Sequence, residues 1–464
     1  MKRFSQNFLS IISSDIGRRL LGFLAVTYLA RTVGTANFGA INVGFTVLSY
    51  ALMASSGGLN SFGTRSVAQG ALPTIVNDIL SVRLITSSLS FGIVAFIAFY
   101  FVPNKLTATL IVLFNVSLFV QAVLLEWYFQ GREEMTMIGF SRVASAVLYL
   151  FLLLLVVQSA ENLLWVALAS VAGDTLAAAI LYFTFKRKQS DFHFIFNLSR
   201  WKSLFIEAFP IGLGSMMAHF SVNLAPLALG ILMTNSDVGI YSAASKLIFF
   251  LLMFDRVLST LLLPASSRLH IYSPDQLSRV LSTAMKWIIL IALPVCIGGT
   301  LLADTIVPLV YGRQYLPAVD IFRILIWYLL FTMLHTMYSI GLLAIGKEKI
   351  YSKVMVISMM LYGGTIILGI MFFGVAGAAL GVMVSEFVTL CLMRLEFERL
   401  VTLSLPEGTA NVVAATLLMG VVLLVLPSIH IVLSILIGST IYFVTLFATR
   451  AITFEEITTL LRRV

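Results

Sequence analysis

The stretch Ser13-Ser14-Asp15-Ile16-Gly17-Arg18-Arg19-Leu20-Leu21-Gly22 places three charged residues inside an apolar segment that runs from Phe8 to about Ala30. A segment of this length is a candidate membrane span. An arginine near the middle of a span costs roughly 2.5–3.5 kcal/mol on insertion scales, and such residues usually face a bundle interior or a water-filled cavity. The stretch therefore predicts a membrane protein whose first helix supplies positive charge to a cavity.

The composition of the whole chain supports this interpretation. Of its 464 residues, 59% are hydrophobic and 11% are charged, whereas soluble domains carry about 25% charged residues. Spacings typical of zinc sites, P-loops and dinucleotide-binding motifs are missing, and the 5 histidines form no hydrolytic constellation. We expect a transporter rather than an enzyme, with no metal site and no required cofactor.

The hydropathy pattern predicts an all-α polytopic protein with about fourteen transmembrane helices. The N-terminal run reads as a retained first span rather than a cleaved signal peptide, because Asp15, Arg18 and Arg19 interrupt it. The predicted helix cores are 7–31, 38–64, 79–103, 105–131, 136–159, 162–186, 201–233, 237–263, 283–311, 318–346, 350–373, 375–398, 407–427 and 430–450.

Lysine and arginine are distributed unevenly between the two ends of these spans. If the N-terminus is cytoplasmic, the outer ends collect only Arg31, Lys105 and Arg313. The cytoplasmic ends collect most of the others, and we place Arg83 and Arg142 among them. This bias predicts that both termini are cytoplasmic. It also accounts for the formal charge of +9, so we expect no nucleic-acid partner.

Three weak sequence correspondences, spaced about 200 to 215 residues apart, indicate an internal duplication. One pairs Phe38-Gly39-Ala40-Ile41 with Val238-Gly239-Ile240-Tyr241, at the starts of the second and eighth spans. Six spans per repeat would make the repeats parallel, so two six-helix lobes would surround a central cavity. The predicted domains are an N-lobe at 1–186, a cytoplasmic linker at 187–200, a C-lobe at 201–400, and helices thirteen and fourteen with a tail at 401–464.

In the first span, Asp15 and Arg19 form an acid-before-base pair four residues apart. This pair leaves two interpretations of Arg19 open, a helix-locking ion pair or a substrate contact. Arg18 has Ser14 and Gly22 four residues away on either side, so we expect Arg18 to bind substrate.

The eighth span carries Lys246, Asp255 and Arg256. On a continuous helix, Lys246 and Arg256 lie about 80° apart, so both could border one cavity. Snorkelling of Arg256 to the lipid headgroups is the alternative.

Further intramembrane polar residues are candidates for coupling to a Na⁺ or H⁺ gradient. Asp174 and Glu386 lie near the middle of spans six and twelve, where an ion pair with a neighbouring helix is equally compatible with the sequence. His219 belongs to a polar stripe on span seven and could carry a proton or simply pack. His335 on span ten ranks no higher than His219.

The run Glu126-Trp127-Tyr128-Phe129-Gln130-Gly131 and the run from Tyr28 to Gly34 resemble the aromatic signature and the first loop of Wzx-type polysaccharide flippases. The run Val238 to Lys246 is similar to the start of their second-lobe helix, and Tyr311 to Ala318 to a later loop. The resemblance covers most of the chain.

This resemblance implies the fold shared by MATE exporters and the MurJ lipid II flippases, with alternating access. It implies that the substrate is a polyprenyl-diphosphate-linked oligosaccharide moved to the outer leaflet for O-antigen, capsule or exopolysaccharide synthesis. Membrane lipid and a polysaccharide polymerase are the implied partners, and the implied location is a bacterial or archaeal inner membrane. Related flippases use basic residues in helices one and eight, which here hold Arg18 and Arg256. Their seventh helix often carries an acid where this chain has Asn223.

Three alternatives remain at this point. A lipid II flippase would share the same basic cavity. A MATE-type cation-coupled drug exporter should present acids and aromatics with few arginines. A membrane glycosyltransferase would need catalytic carboxylates or a large outer loop, and neither is visible in the sequence.

Overall fold

A computed structural model describes the protein over residues 2–70, 74–188, 197–272, 274–401, 403, 408–426 and 430–451. Within these ranges the description leaves out the side chains of residues 2–13, 74, 188, 198–199, 211, 213–219, 221–222, 270–272 and 274–275. The described part of the chain consists of helices joined by short turns.

Eighteen α-helices follow one another along the described chain: α1 (Lys2–Val33), α2 (Thr35–Ser56), α3 (Leu59–Ala68), α4 (Thr74–Phe101), α5 (Lys105–Asn115), α6 (Ser117–Ala122), α7 (Glu126–Gly131), α8 (Met135–Val156), α9 (Leu164–Lys188), α10 (Leu198–Leu232), α11 (Asn235–Leu251), α12 (Met253–Tyr272), α13 (Pro274–Leu301), α14 (Ala303–Tyr311), α15 (Ala318–Ala344), α16 (Glu348–Glu398), α17 (Thr409–Val425) and α18 (Ile431–Ala448). Single 3-10 turns at Ala160–Asn162 and Arg313–Tyr315 lie between helices. Among the described residues, ten helical stretches are long and apolar enough to cross a membrane. The count of about fourteen spans stays a prediction.

The chain forms two compact units, which we call the N-unit (Met1–Ser242) and the C-unit (Ala243–Val464). The predicted N-lobe ends earlier, at residue 186. The difference is α10, whose Gly212 packs against Gly58, at the start of α3 in the N-unit. The predicted domain boundaries stay a prediction.

Most helices begin and end within a few residues of the predicted spans, but several predicted spans are interrupted. The second span breaks at Gly57 and Gly58, which have φ angles of 49° and 85°. Glycine adopts this left-handed region without steric cost. A Cβ on Gly58 would lie 2.3 Å from the carbonyl oxygen of Ala208, so the same residue also permits the close approach of α10.

The fourth predicted span, 105–131, is three helices rather than one. It breaks at Val116 between α5 and α6, and again over residues 123–125 between α6 and α7. At the second break the regular helical hydrogen bonds stop, and the carbonyls of Val120 and Gln121 accept instead from the amides of Val123 and Leu124 at 3.2 and 3.3 Å.

Helix α16 is a hairpin of two antiparallel arms that meet at Gly374. Its backbone there is not helical, with φ 57° and ψ −133°. A Cβ on Gly377 would lie 1.8 Å from the carbonyl oxygen of Gly369, and Thr365 donates to the carbonyl of Gly381 at 3.0 Å. Small residues at these positions let the arms touch along their backbones. The two predicted spans 350–373 and 375–398 correspond to the two arms.

The two motifs that suggested the duplication cross each other within the N-unit. A Cβ on Gly39 of α2 would lie 1.6 Å from the carbonyl oxygen of Asn235, and a Cβ on Gly239 of α11 would lie 2.0 Å from that of Thr35. Each glycine thus faces the carbonyl four residues before the other glycine. This reciprocity is expected if the two helices are equivalent members of a repeat.

In the C-unit, α17 and α18 pack against each other and against α13. The Tyr442 hydroxyl on α18 donates to the carbonyl of Leu290 on α13 at 2.6 Å. Val412, Ala415 and Met419 of α17 are buried in the same cluster. The last two helices are therefore attached to the C-unit through a defined apolar contact.

The glycine crossing gives a test of the fold. We expect Gly39→Ala to destabilise the purified protein by about 1–3 kcal/mol or more, because overpacking a tight contact costs this much. Without a clash, the same change in a helix would stabilise by roughly 0.5–1 kcal/mol. Gly92→Ala on α4 is the matched control, because a Cβ there meets nothing within 4 Å. Thermal unfolding in detergent measures both variants, and equal or raised stability of Gly39→Ala would contradict the crossing.

Candidate functional site

On α1, the carboxylate of Asp15 accepts hydrogen bonds from two arginines. Arg19 donates through Nε to Asp15 Oδ2 at 2.9 Å, and Arg18 donates through Nη2 to Asp15 Oδ1 at 3.4 Å. Arg18 has Ser14 and Gly22 four residues away, as the sequence analysis states, but its partner Asp15 lies three residues before it, a spacing that also shares a helix face. The Arg18 side chain remains 45% exposed. A single carboxylate leaves this group with one excess positive charge.

A second ion pair lies on the helices that pack beside α1. Arg142 on α8 donates Nε to Glu126 Oε1 at 2.8 Å and Nη2 to Glu126 Oε2 at 2.6 Å, which is the two-pronged geometry that guanidinium favours. Arg142 and Glu126 both interact electrostatically with Arg18. The structure therefore joins Asp15, Arg18 and Arg19 with this pair. We call these five residues the α1 charge cluster.

A further arginine belongs to this part of the N-unit, and the sequence analysis had placed it among the cytoplasmic flanking residues. Arg83 lies inside α4 and is only 6% exposed. Its Nη1 donates to the carbonyl of Leu124 at 3.1 Å, and its Nη2 donates to the carbonyl of Gln121. These are carbonyl groups at the break between α6 and α7. A charge well inside an apolar helix was the signal that could have separated Arg83 from a flanking residue.

Asp174 on α9 is half-buried in the same unit. It lies close to the side chain of Gln121 and interacts electrostatically with Glu126. The predicted acid is therefore near the α1 charge cluster and the helix break. The side chain of His219, the other predicted N-unit candidate, lies outside the described residues.

In the C-unit, Glu386 is the centre of a buried polar network. His335 Nδ1 lies 2.5 Å from Glu386 Oε1, and the Tyr362 hydroxyl donates to Glu386 Oε2. The network joins α15 to both arms of α16. Asp255 on α12 interacts electrostatically with His335 and accepts a hydrogen bond from Thr336 at 3.3 Å. Of the two interpretations that the sequence left open for Glu386, the structure shows a pairing with a neighbouring helix.

The two remaining predicted cations are not joined to this network by any hydrogen bond in the described structure. Lys246 on α11 is half-buried and Arg256 on α12 is exposed. Neither side chain forms an ion pair with the described residues. The helix is interrupted at Leu252, between the two. The angle of 80° calculated for a continuous helix therefore does not apply.

Comparison with solved structures identifies the fold. The structure of the lipid II flippase MurJ, in an inward closed conformation, aligns with a TM-score of 0.76 at 14% identity, covering 94% of this chain and 97% of that one. An inward-facing multidrug resistance MATE transporter of the MOP superfamily aligns with a TM-score of 0.64 at 14% identity, covering 84% and 97%. The predicted all-α, MATE- and MurJ-like membrane fold is confirmed.

Two named proteins resemble the chain in sequence. The capsular polysaccharide biosynthesis protein CapF of Staphylococcus aureus is 23% identical over 319 residues, which is 68% of this chain and 79% of that protein. The probable low-salt glycan biosynthesis flippase Agl15 of Haloferax volcanii is 21% identical over 377 residues, which is 79% of this chain and 77% of that protein. Both names agree with the resemblance stated from the motifs.

A family model described as polysaccharide biosynthesis protein matches residues 4–270. The matched region includes the α1 charge cluster, the break between α6 and α7, and the glycine crossing. Because the match covers more than half of the sequence, the chain belongs to the polysaccharide biosynthesis protein family.

Proposed function

We propose that this chain is a flippase that moves polyprenyl-diphosphate-linked oligosaccharide repeat units from the cytoplasmic to the outer leaflet, by alternating access, for surface polysaccharide synthesis. This proposal is supported by the family, by the names of two relatives and by a fold shared with membrane transporters. It is a transporter function and needs no covalent chemistry from the protein.

The observation that carries the proposal is the excess positive charge of the α1 charge cluster. Three guanidinium groups face two carboxylates there, and the Arg18 side chain remains accessible. A diphosphate carries about two negative charges, and arginine binds phosphate oxygens through two parallel hydrogen bonds. The cluster supplies the chemistry that such a headgroup needs. A cationic drug, in contrast, would be repelled by its excess positive charge.

Lys246 and Arg256 are the C-unit cations of the proposed site. Neither makes an ion pair with the described residues, so no described carboxylate competes with an anionic ligand for these two bases. Asp255 adjoins Arg256 in the sequence but hydrogen-bonds Thr336 instead. We assign Lys246 and Arg256 as substrate-binding bases of the C-unit. Arg18 and Arg19 are those of the N-unit.

The membrane setting of this proposal follows the sequence predictions. Both termini are cytoplasmic in a bacterial or archaeal inner membrane, and a polysaccharide polymerase receives the product. An inside-negative potential favours outward movement of the headgroup by about 2.3 kcal/mol per charge per 100 mV.

The buried network of the C-unit is the proposed coupling site, with protons rather than Na⁺ as the ion. The ionisable groups that face one another there are Asp255, Tyr328, His335, Tyr362 and Glu386. Protonation of the carboxylate would weaken its contact with His335, and that contact joins α15 to α16. A proton taken up outside and released inside would thereby bias the helix positions once per cycle. Asp174 and His219 are the N-unit alternatives.

Loss of the α1 cations should abolish export. We expect Arg18→Gln combined with Arg19→Gln to lower surface polymer at least tenfold in a complementation assay, at normal protein level, because each charge-assisted hydrogen bond contributes about 1.5–3 kcal/mol. Arg256→Gln should also lower it. Arg313→Gln, an exposed arginine in the turn before α15, is the control. Full polymer in both site variants would overturn the assignment. Rescue of cells lacking their lipid II flippase would instead indicate that substrate.

Removal of the central carboxylate should uncouple transport from the proton gradient. With wild-type protein in liposomes, we expect flipping to accelerate when the outer-leaflet side is made acidic. Glu386→Gln should still exchange substrate but should not respond to the gradient. Glu398→Gln is the matched control, because it changes a carboxylate at the end of α16 that pairs with exposed Arg394. A gradient response that survives in Glu386→Gln, or a response to Na⁺ alone, would contradict proton coupling through this network.

A further inference from the structure

The N-unit encloses a polar cavity of about 420 Å³ between α2, α3, α4 and α6. This volume falls within the range of about 300–1,000 Å³ that is usual for small-ligand pockets. Asn60 and Ser61, two exposed residues at the start of α3, belong to its wall. The cavity is therefore accessible from outside the helix bundle.

Hydroxyl and amide side chains dominate the lining. Ser49, Ser55 and Ser56 donate their protons to backbone carbonyls of their own helix, at 2.9, 3.2 and 3.3 Å. Their oxygens therefore remain as acceptors. Ser61 and Ser87 make no hydrogen bond with the described residues, so both can donate and accept. This mixture of donors and acceptors suits a ligand rich in hydroxyl groups.

Among the described residues that line the cavity, one is charged, and it is Arg83. Its two bonds to the carbonyls of Leu124 and Gln121 occupy two of its five N–H donors. The other three make no hydrogen bond with the described residues. The part of the cavity wall that the structure describes contains no carboxylate. The nearest acid that acts on Arg83 is Glu126, which is already paired with Arg142. An anionic group on the ligand would complete the bonding of this guanidinium.

We infer that this cavity is a binding site for an acidic sugar, that is, a hydroxylated ring carrying a carboxylate or a phosphate, whose acid group binds Arg83. The inference rests on the proposed function, because the sugar would belong to the transported lipid-linked glycan. It adds a recognition site for the glycan that is separate from the cations assigned to the diphosphate. Leu52 and Met53 supply the apolar part of the wall, against which the face of a ring can pack.

Neighbouring serines on α4 give a matched pair of variants. Ser87 is buried and lines the cavity, whereas Ser88 is exposed and does not line it. Ser87→Leu should fill the cavity, and Ser88→Leu should leave it open. Arg83→Lys keeps the positive charge but loses the planar fork, and Arg65→Gln on the exposed surface of α3 controls for a change of charge.

The experiment is ligand-observed saturation-transfer NMR on the purified full-length protein, with glucuronate, glucose and inorganic pyrophosphate as probes. We expect glucuronate to bind at least tenfold more tightly than glucose, and Ser87→Leu to weaken its binding at least tenfold, while Ser88→Leu and Arg65→Gln do not. Preference for pyrophosphate with the same response to Ser87→Leu would assign the acid group to the diphosphate. Arg83→Lys should bind glucuronate more weakly in either case.

Two outcomes would overturn the inference: no binding of any probe, or binding that Ser87→Leu leaves unchanged. Failure of the proposed function is distinguishable, because export by the wild-type chain is measured separately by complementation. Ser87→Leu should export less polymer than the wild-type chain, because the sugar that it no longer binds belongs to the transported glycan.

Discussion

Guanidinium groups inside an apolar helix bundle need acceptors, and the architecture of the N-unit depends on this requirement. An uncompensated charge would cost several kcal/mol at such a position. Arg18 and Arg19 share Asp15, and Arg142 takes both oxygens of Glu126. Arg83 donates to the carbonyls of Leu124 and Gln121 at the break between α6 and α7. The charge on α4 thus meets its acceptors where the neighbouring helix is interrupted.

The described carboxylates neutralise only part of the positive charge carried by the arginine and lysine residues of these helices. The α1 charge cluster retains an excess of one cation, Arg83 retains unused donors, and Lys246 and Arg256 form no ion pair with the described residues. A protein that needed these residues only for packing could replace them by apolar side chains at little cost. An anionic substrate, such as the one proposed, would compensate the positive charge that these residues leave. The buried acid of the C-unit differs from these cations, because Glu386 contacts both His335 and Tyr362.

The sequence predicts the helical extents well, because hydropathy over about 20 residues reflects burial in lipid directly. It does not predict the breaks at Gly57 and Gly58 or over residues 123–125, since a window of that length averages over two or three non-helical residues. The hairpin at Gly374 is an exception, because the spacing of Gly374, Gly377 and Gly381 marks both the turn and the contact between its arms.

The site was less predictable than the fold, for reasons that differ between residues. The Arg18–Asp15 pair follows from helical geometry, because residues three apart share a helix face. A pattern based on spacings of four residues does not contain it. The pairing of Glu386 with His335, 51 residues away, depends on how α15 and α16 pack, and no local pattern contains that information. The cavity beside Arg83 combines side chains from four helices and is likewise a property of the packed structure.

The central claim is that cations of the first helix bind a lipid-linked diphosphate. Native mass spectrometry of the purified protein with polyprenyl diphosphate, polyprenyl monophosphate and the neutral polyprenol measures this directly. The account predicts that occupancy falls in that order and that the difference between diphosphate and alcohol disappears when Arg18 and Arg19 are both replaced by glutamine. Equal occupancy by all three lipids in the wild-type protein would contradict it.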